Sequence, residues 1–163
     1  MRTWLRSSRN ITVEEIPPAL RAAVEEHCAA HHLGELTAAV RCCLTHSVRV
    51  RGPHLDAPLF DPASEREHDR LDILLPRHLV VARSERRQTH VLSTRLDRIT
   101  LGPCLASPRS VLHDVGVPAT ARWSRHGSAS TIWIGLGDDP DGWEFLTALR
   151  AAVAAASRSR RGT

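Results

Sequence analysis

The chain has 163 residues, 42% of them hydrophobic and 25% charged, with a formal net charge of +4. That length sustains one domain with a real core, and that balance excludes wholesale disorder. No apolar run reaches the roughly 18 residues of a membrane span, and the basic start at residues 1–9 leads into no apolar signal segment, so a cytoplasmic protein is expected.

All 22 basic residues are Arg and Lys is absent, which points to the coding bias of a GC-rich bacterium rather than to selection at a site. The positive excess sits at the ends, in Arg2, Arg6 and Arg9 and in Arg158, Arg160 and Arg161. The middle is nearly neutral, which disfavours a nucleic-acid footprint across the domain. The four cysteines, Cys28, Cys42, Cys43 and Cys104, read as reduced thiols packed as small apolar residues.

Residues 1–12 read as a mobile tail. Pro17 and Pro18 suit the start of a helix, and Leu20, Val24, Cys28 and His31 recur at spacings of three and four, which predicts a helix over 18–32 with Gly34 as its stop. From Leu36 to Val50 the period becomes two. Leu36, Ala38, Val40, Cys42 and Leu44 form one face of a strand, with a bend near Thr45. Residues 51–70 hold Pro53, Pro58 and Pro62 and read as a long loop.

Short strands follow. Leu71, Ile73 and Leu75 alternate, Pro76-Arg77-His78 turns, and 79–83 returns as an apolar strand. Ser84-Glu85-Arg86-Arg87 turns again, leading into strands at 88–92, 99–101 and 111–115. Segments 119–124 and 131–136 flank Arg125-His126-Gly127-Ser128 as a hairpin. Last comes a helix that runs to residue 156. Asp141 and Glu144 stand as N-cap and N3 of a capping box, and Phe145, Leu146, Leu149, Ala152, Val153 and Ala156 form its apolar stripe. Residues 157–163 read as an Arg-rich tail. With no crossover helix between Leu36 and Leu136, the strands are expected to be antiparallel and the fold α+β.

Three stretches carry a resemblance. They are Leu71-Asp-Ile-Leu-Leu-Pro-Arg-His-Leu-Val-Val-Ala-Arg83, Val91-Leu-Ser-Thr-Arg-Leu-Asp-Arg-Ile-Thr100, and Ser130-Thr-Ile-Trp-Ile-Gly-Leu136 followed by Trp143-Glu-Phe-Leu-Thr-Ala-Leu149. Together they resemble a bacterial pleckstrin-homology-like domain over residues 36–156. The resemblance implies a seven-stranded bent antiparallel barrel capped by the C-terminal helix, with a Trp near that helix's start and with the N-terminal helix as an addition. It also implies a recognition scaffold rather than an enzyme. Fold analogy does not choose the ligand.

In such a family a lipid site resembles a basic cluster in the loop at 51–70. Here Arg51, Arg66 and Arg70 face Asp56, Asp61, Glu65, Glu67 and Asp69, so the loop would repel an anionic headgroup, and phosphoinositide binding is disfavoured. Arg83, Arg86 and Arg87 make a basic turn and, with Trp4, are the candidate partner-binding residues. Trp4 would either fold back or anchor a partner, and Trp133 and Trp143 are expected in the core. Cys28-x-x-His31 and Cys43-x-x-His46 offer zinc-like ligands, but spacing three on a strand splits the second pair between faces. No Gly-x-Ser-x-Gly elbow occurs, and Gly135-Leu-Gly137 lacks the third glycine and the second βα unit of a dinucleotide site. No cofactor, metal or catalytic residue is assigned. The expected function is a non-catalytic pleckstrin-homology-like module for a protein partner. The alternatives are a metal-dependent or cysteine-based hydrolase gathering His27, Cys28, His31 and Cys43 or His46, and attachment to anionic membrane or nucleic acid through the Arg-rich ends. The sequence does not set the oligomeric state.

Overall fold

A computed structural model describes residues 3–50, 67–85, 88–104 and 114–161. The first strand, β1 (Thr3–Ile11), falls where a mobile tail was expected. It leads through a 3-10 turn into α1 (Pro18–Ala30), and then come β2 (Arg41–Val50), β3 (Glu67–Leu74), β4 (His78–Glu85) and β5 (Gln88–Arg95). These five strands form one antiparallel sheet in sequence order. A second antiparallel sheet holds β6 (Thr100–Leu101), β7 (Asp114–Ala121) and β8 (Ser130–Gly137), and α2 (Pro140–Arg161) closes the chain. Among the described residues the fold is therefore α+β, with eight strands in two sheets. Residues 157–161, expected as tail, continue α2.

The large sheet is buried on both faces, and the pleat assigns neighbouring residues to different cores. Cys42, Leu71, Ile73, Val80, Ala82 and Val91 pack with Leu20, Val24 and Cys28 of α1. Cys43, Leu74, Leu79 and Val81 pack instead with Ile134 and Leu136 of β8 and with Phe145, Leu146, Leu149 and Val153 of α2. This corrects the one-sided reading of 36–50. Leu36–Ala38 is a 3-10 turn, Val40 is exposed, and on β2 Cys42, Cys43, Thr45 and Ser47 are all buried.

In α1 the buried stripe is Leu20, Val24, His27 and Cys28, and His31 is exposed. The helix ends in a Schellman motif. His32, at φ 53°, sends its N–H to Ala29 O, and Leu33 N–H reaches Cys28 O at 3.0 Å. The left-handed residue that ends the helix is thus His32, two residues before the expected stop at Gly34, which itself has φ 93°.

The apolar stripe of α2 docks as expected, but its cap differs. Asp139 is the N-cap, its Oδ1 accepting from Gly142 N at 2.7 Å. Asp141 and Glu144 reach across to β1 instead, accepting from Asn10 N at 2.9 Å and from Asn10 Nδ2 at 2.8 Å. Ser8 completes this seam. Its N–H donates to Asp139 Oδ2 at 2.7 Å, and its Oγ accepts from Gly137 N at 2.9 Å. The sheets meet here through side chains, not a backbone ladder.

The approach at Ser8 requires glycine at 137, because a Cβ there would stand 2.8 Å from Ser8 N and collide with the Asp139 carboxylate. Gly137→Ala is expected to lower stability by about 1–3 kcal/mol. Gly127→Ala, where a Cβ meets nothing within 4 Å, stays within about 0.5 kcal/mol of the parent. Urea denaturation of the two variants side by side checks both.

Candidate functional site

The sequence-predicted residues scatter. Trp4 lies half-buried on β1, its ring edge-on to His68 with centroids 4.8 Å apart. Arg83 belongs to β4, opposite Arg70 in register, rather than to a surface turn. Arg86 and Arg87 lie outside the described residues, as do positions 51–66 of the expected loop. Trp133 and Trp143, expected in the core, are 39% and 41% exposed, whereas Trp123 is fully enclosed, its Nε1 donating to Ser130 O at 3.1 Å.

The expected Cys–His constellation does not assemble. Cys28 sits in the core under α1 and Cys43 in the core under α2, so the large sheet separates them. Burial pushes the Cys42 thiol up to about 11 and the Cys43 thiol up to about 12, which leaves both as inert packing. Among the described residues no group of three or more His, Cys, Asp or Glu could hold a metal ion.

What the fold does assemble begins with a buried carboxylate. Asp72 has no exposed surface, and burial pushes its carboxyl upward against the pull of Arg70. Arg70 Nε and Nη2 both donate to Asp72 Oδ2, at 3.0 and 2.9 Å. The same guanidinium spans to the edge of β8, with Nη1 donating to Trp133 O at 3.0 Å and Nη2 to Gly135 O at 2.8 Å. Beside it, Ser8 Oγ and Thr45 Oγ1 lie 2.8 Å apart. This polar group links the two sheets.

An open cleft of about 420 Å³ is lined by Leu5, Arg6, Ser7, His46, Val48, Asp138 and Asp139. Strand pairing sets its floor, since Leu5 lies opposite Val48 and Ser7 opposite His46. His46 Nδ1 lies 2.7 Å from Asp69 Oδ1 and Nε2 lies 3.1 Å from Glu67 Oε1. Ser7, His46 and Asp69 thus align across three strands, as the members of a hydrolytic triad would. The inner geometry differs. Glu67 takes the ring nitrogen that would face a nucleophile, and Ser7 has no hydrogen bond to His46 among the described residues. Leu5 is 41% exposed, and beyond it Trp143 Nε1 donates to Asp138 Oδ1 at 2.7 Å. Neither the cleft nor the seam was legible in the sequence, because both depend on β1 being a strand.

A second buried polar contact fastens α1. His27 Nε2 and Ser93 Oγ share a hydrogen bond of 2.9 Å, and the His31 ring lies 4.2 Å away. Burial, with His31 and Arg125 nearby, lowers His27 from 6.5 to about 4.

Two expectations follow. Arg70→Met strands the Asp72 carboxylate and costs about 3–5 kcal/mol in urea denaturation, and adding Asp72→Leu recovers the larger part. The unfolded chain protonates His27 near 6.5 and the folded chain only near 4. Its contribution is therefore complete above pH 6.5 and is lost as pH falls from there through 4. Between pH 7 and about pH 4.5 the parent loses roughly 2–3 kcal/mol through this residue, and His27→Gln shows a correspondingly flatter pH profile.

Compared with protein-family models, with curated proteins and with solved structures, the chain matches none, so the cleft and its chemistry carry the functional argument.

Proposed function

We propose that the chain is a non-catalytic recognition module of pleckstrin-homology-like build, and that its cleft takes an extended segment of a protein partner. The strand order supports the build. Strands β2–β5 and β6–β8 run as consecutive antiparallel units, α2 lies over the core they share, and β1 with α1 adds to that frame. No helix among the described residues is long and apolar enough to cross a membrane.

The observation that carries the binding role is the cleft's composition. Its floor is apolar, from Leu5 and Val48. Its rim holds Asp138 and Asp139, with Glu67 and Asp69 flanking His46, against the single guanidinium of Arg6. Four carboxylates around an apolar floor select a segment carrying one apolar side chain among basic ones. His46, held between Asp69 and Glu67, is a fixed polar contact in the wall.

Fluorescence anisotropy with two labelled hexapeptides tests this reading. One peptide places Leu among Arg residues, and the other places Leu among Glu residues. Only the basic peptide is expected to bind, and Leu5→Ser with Val48→Ser weakens it about tenfold or more, as loss of the buried apolar contact requires. Equal binding of the two peptides, or binding that ignores the double substitution, would sink the proposal.

A further inference from the structure

The fold brings the Arg-rich C-terminal end onto basic residues from the middle of the chain. Leu96 N donates to Arg77 O at 2.9 Å, tying the β3–β4 turn to the 3-10 helix Leu96–Arg98 after β5. Arg95 Nε and Nη2 donate to the Asp97 carboxylate, each at 3.0 Å, and Arg160 Nη1 donates to Asp97 O at 3.3 Å. Arg95, Arg98 and Arg160 all act on Asp97, holding its carboxyl below the usual range, while Arg95 and Arg77 act with burial to lower His78. Three guanidiniums, from Arg95, Arg98 and Arg160, therefore act on one carboxylate, and Arg77 joins the same segment through its backbone, which leaves four guanidiniums against the single carboxylate of Asp97 at one pole. All four are exposed, and Arg158 stands exposed on the same helix end. Among the described residues, the side chains of Arg77 and Arg98 make no hydrogen bond or ion pair. Like charges held this close repel unless an anion sits among them.

We infer that this pole binds the phosphate backbone of duplex nucleic acid without reading its bases. Guanidinium forks pair with phosphate oxygens, and a contact made only to backbone carries no sequence information. An anionic membrane fits less well. Interfacial proteins seat Trp or Tyr at the headgroups, and the exposed Trp143 lies seventeen residues from Arg160 along α2, about 25 Å away. Exposed Val40 is held beside the end of β3, its N–H bonding Leu74 O, and a lone Val buries too little to hold a bilayer. Among the described residues no exposed Trp or Phe is placed at the pole, which disfavours unstacked single strands.

The experiment is anisotropy of labelled 16-base-pair duplexes of arbitrary sequence, one DNA and one RNA, across a salt series, using the full chain. Four phosphate contacts give a slope of log K against log salt of about −3.6. Arg77→Glu with Arg98→Glu is expected to lower affinity at least tenfold and to reduce the slope by about two. The charge-matched control, Arg9→Glu with Arg21→Glu, lies on β1 and α1 and shifts affinity far less. Circular dichroism confirms that both variants fold. Affinity equal in the two double variants, or a flat salt response, overturns the inference. Stronger binding to phosphatidylserine vesicles than to either duplex, with the same dependence on Arg77 and Arg98, also overturns it. Binding of the basic hexapeptide at the cleft is independent of this outcome.

Discussion

A carboxylate without solvent must be answered by charge, and in this chain that requirement joins the two sheets. Asp72 lies in the middle of β3 with no exposed surface, and Arg70, two residues away on the same face, supplies both hydrogen bonds to its Oδ2. Such a pair adds little net stability, but removing one partner is costly. Arg70 also reaches the edge carbonyls of Trp133 and Gly135. Those carbonyls lie on the side of β8 away from β7, where a ladder would otherwise have to continue. One guanidinium therefore neutralises a core charge and finishes a sheet edge.

The rest of the seam extends the same solution to β1. An edge strand needs partners for its outer N–H groups or it invites pairing with another chain. Ser8 and Asn10 give theirs to Asp139 and Asp141, at the start of α2. Because Asp139 also caps that helix, the first turn of α2 and the outer edge of β1 form together or not at all. The cleft lies at this junction, with Leu5 and Val48 as its floor and Asp138 and Asp139 at its rim. Recognition and closure of the fold thus share residues.

Periodicity made much of this fold legible. The stripe of α1 and the apolar face of α2 answer to burial on one side, the apolar runs of β3 through β5 to a sheet buried on both faces, and the β7–β8 hairpin to the core under α2. The misses have a common cause. On β1 the face holding Trp4, Arg6, Ser8 and Asn10 is polar because it meets Asp139, Asp141 and Arg70's surroundings, so no apolar alternation marks it as a strand. Thr45 and Ser47 are buried for the same reason, which hid the second buried face of β2. Asp141 and Glu144 matched a capping box by spacing, yet the carboxylate of Asp139, two residues earlier, was available and the pair found β1 instead. Spacing reports what a residue can reach within its own element; it is silent on partners more than a hundred residues away.

Charge along α2 separates what the helix needs from what it does not. Asp139 and Asp141 stand at its start and Arg158 and Arg160 at its end, the order that complements a helix dipole. That alone places an acidic rim beside the cleft and positive charge at the opposite pole. The dipole accounts for the residues on the helix and for no others. Glu67 and Asp69 come from β3, and Arg77, Arg95 and Arg98 come from the β3–β4 turn and the segment after β5, yet each group reinforces the sign already present at its end. Helix stability gives no reason for three further guanidiniums to gather around Arg160 at a repulsive cost. A ligand of opposite charge would, and the opposite polarity of the two ends gives the proposed sites at the cleft and the pole different chemistry.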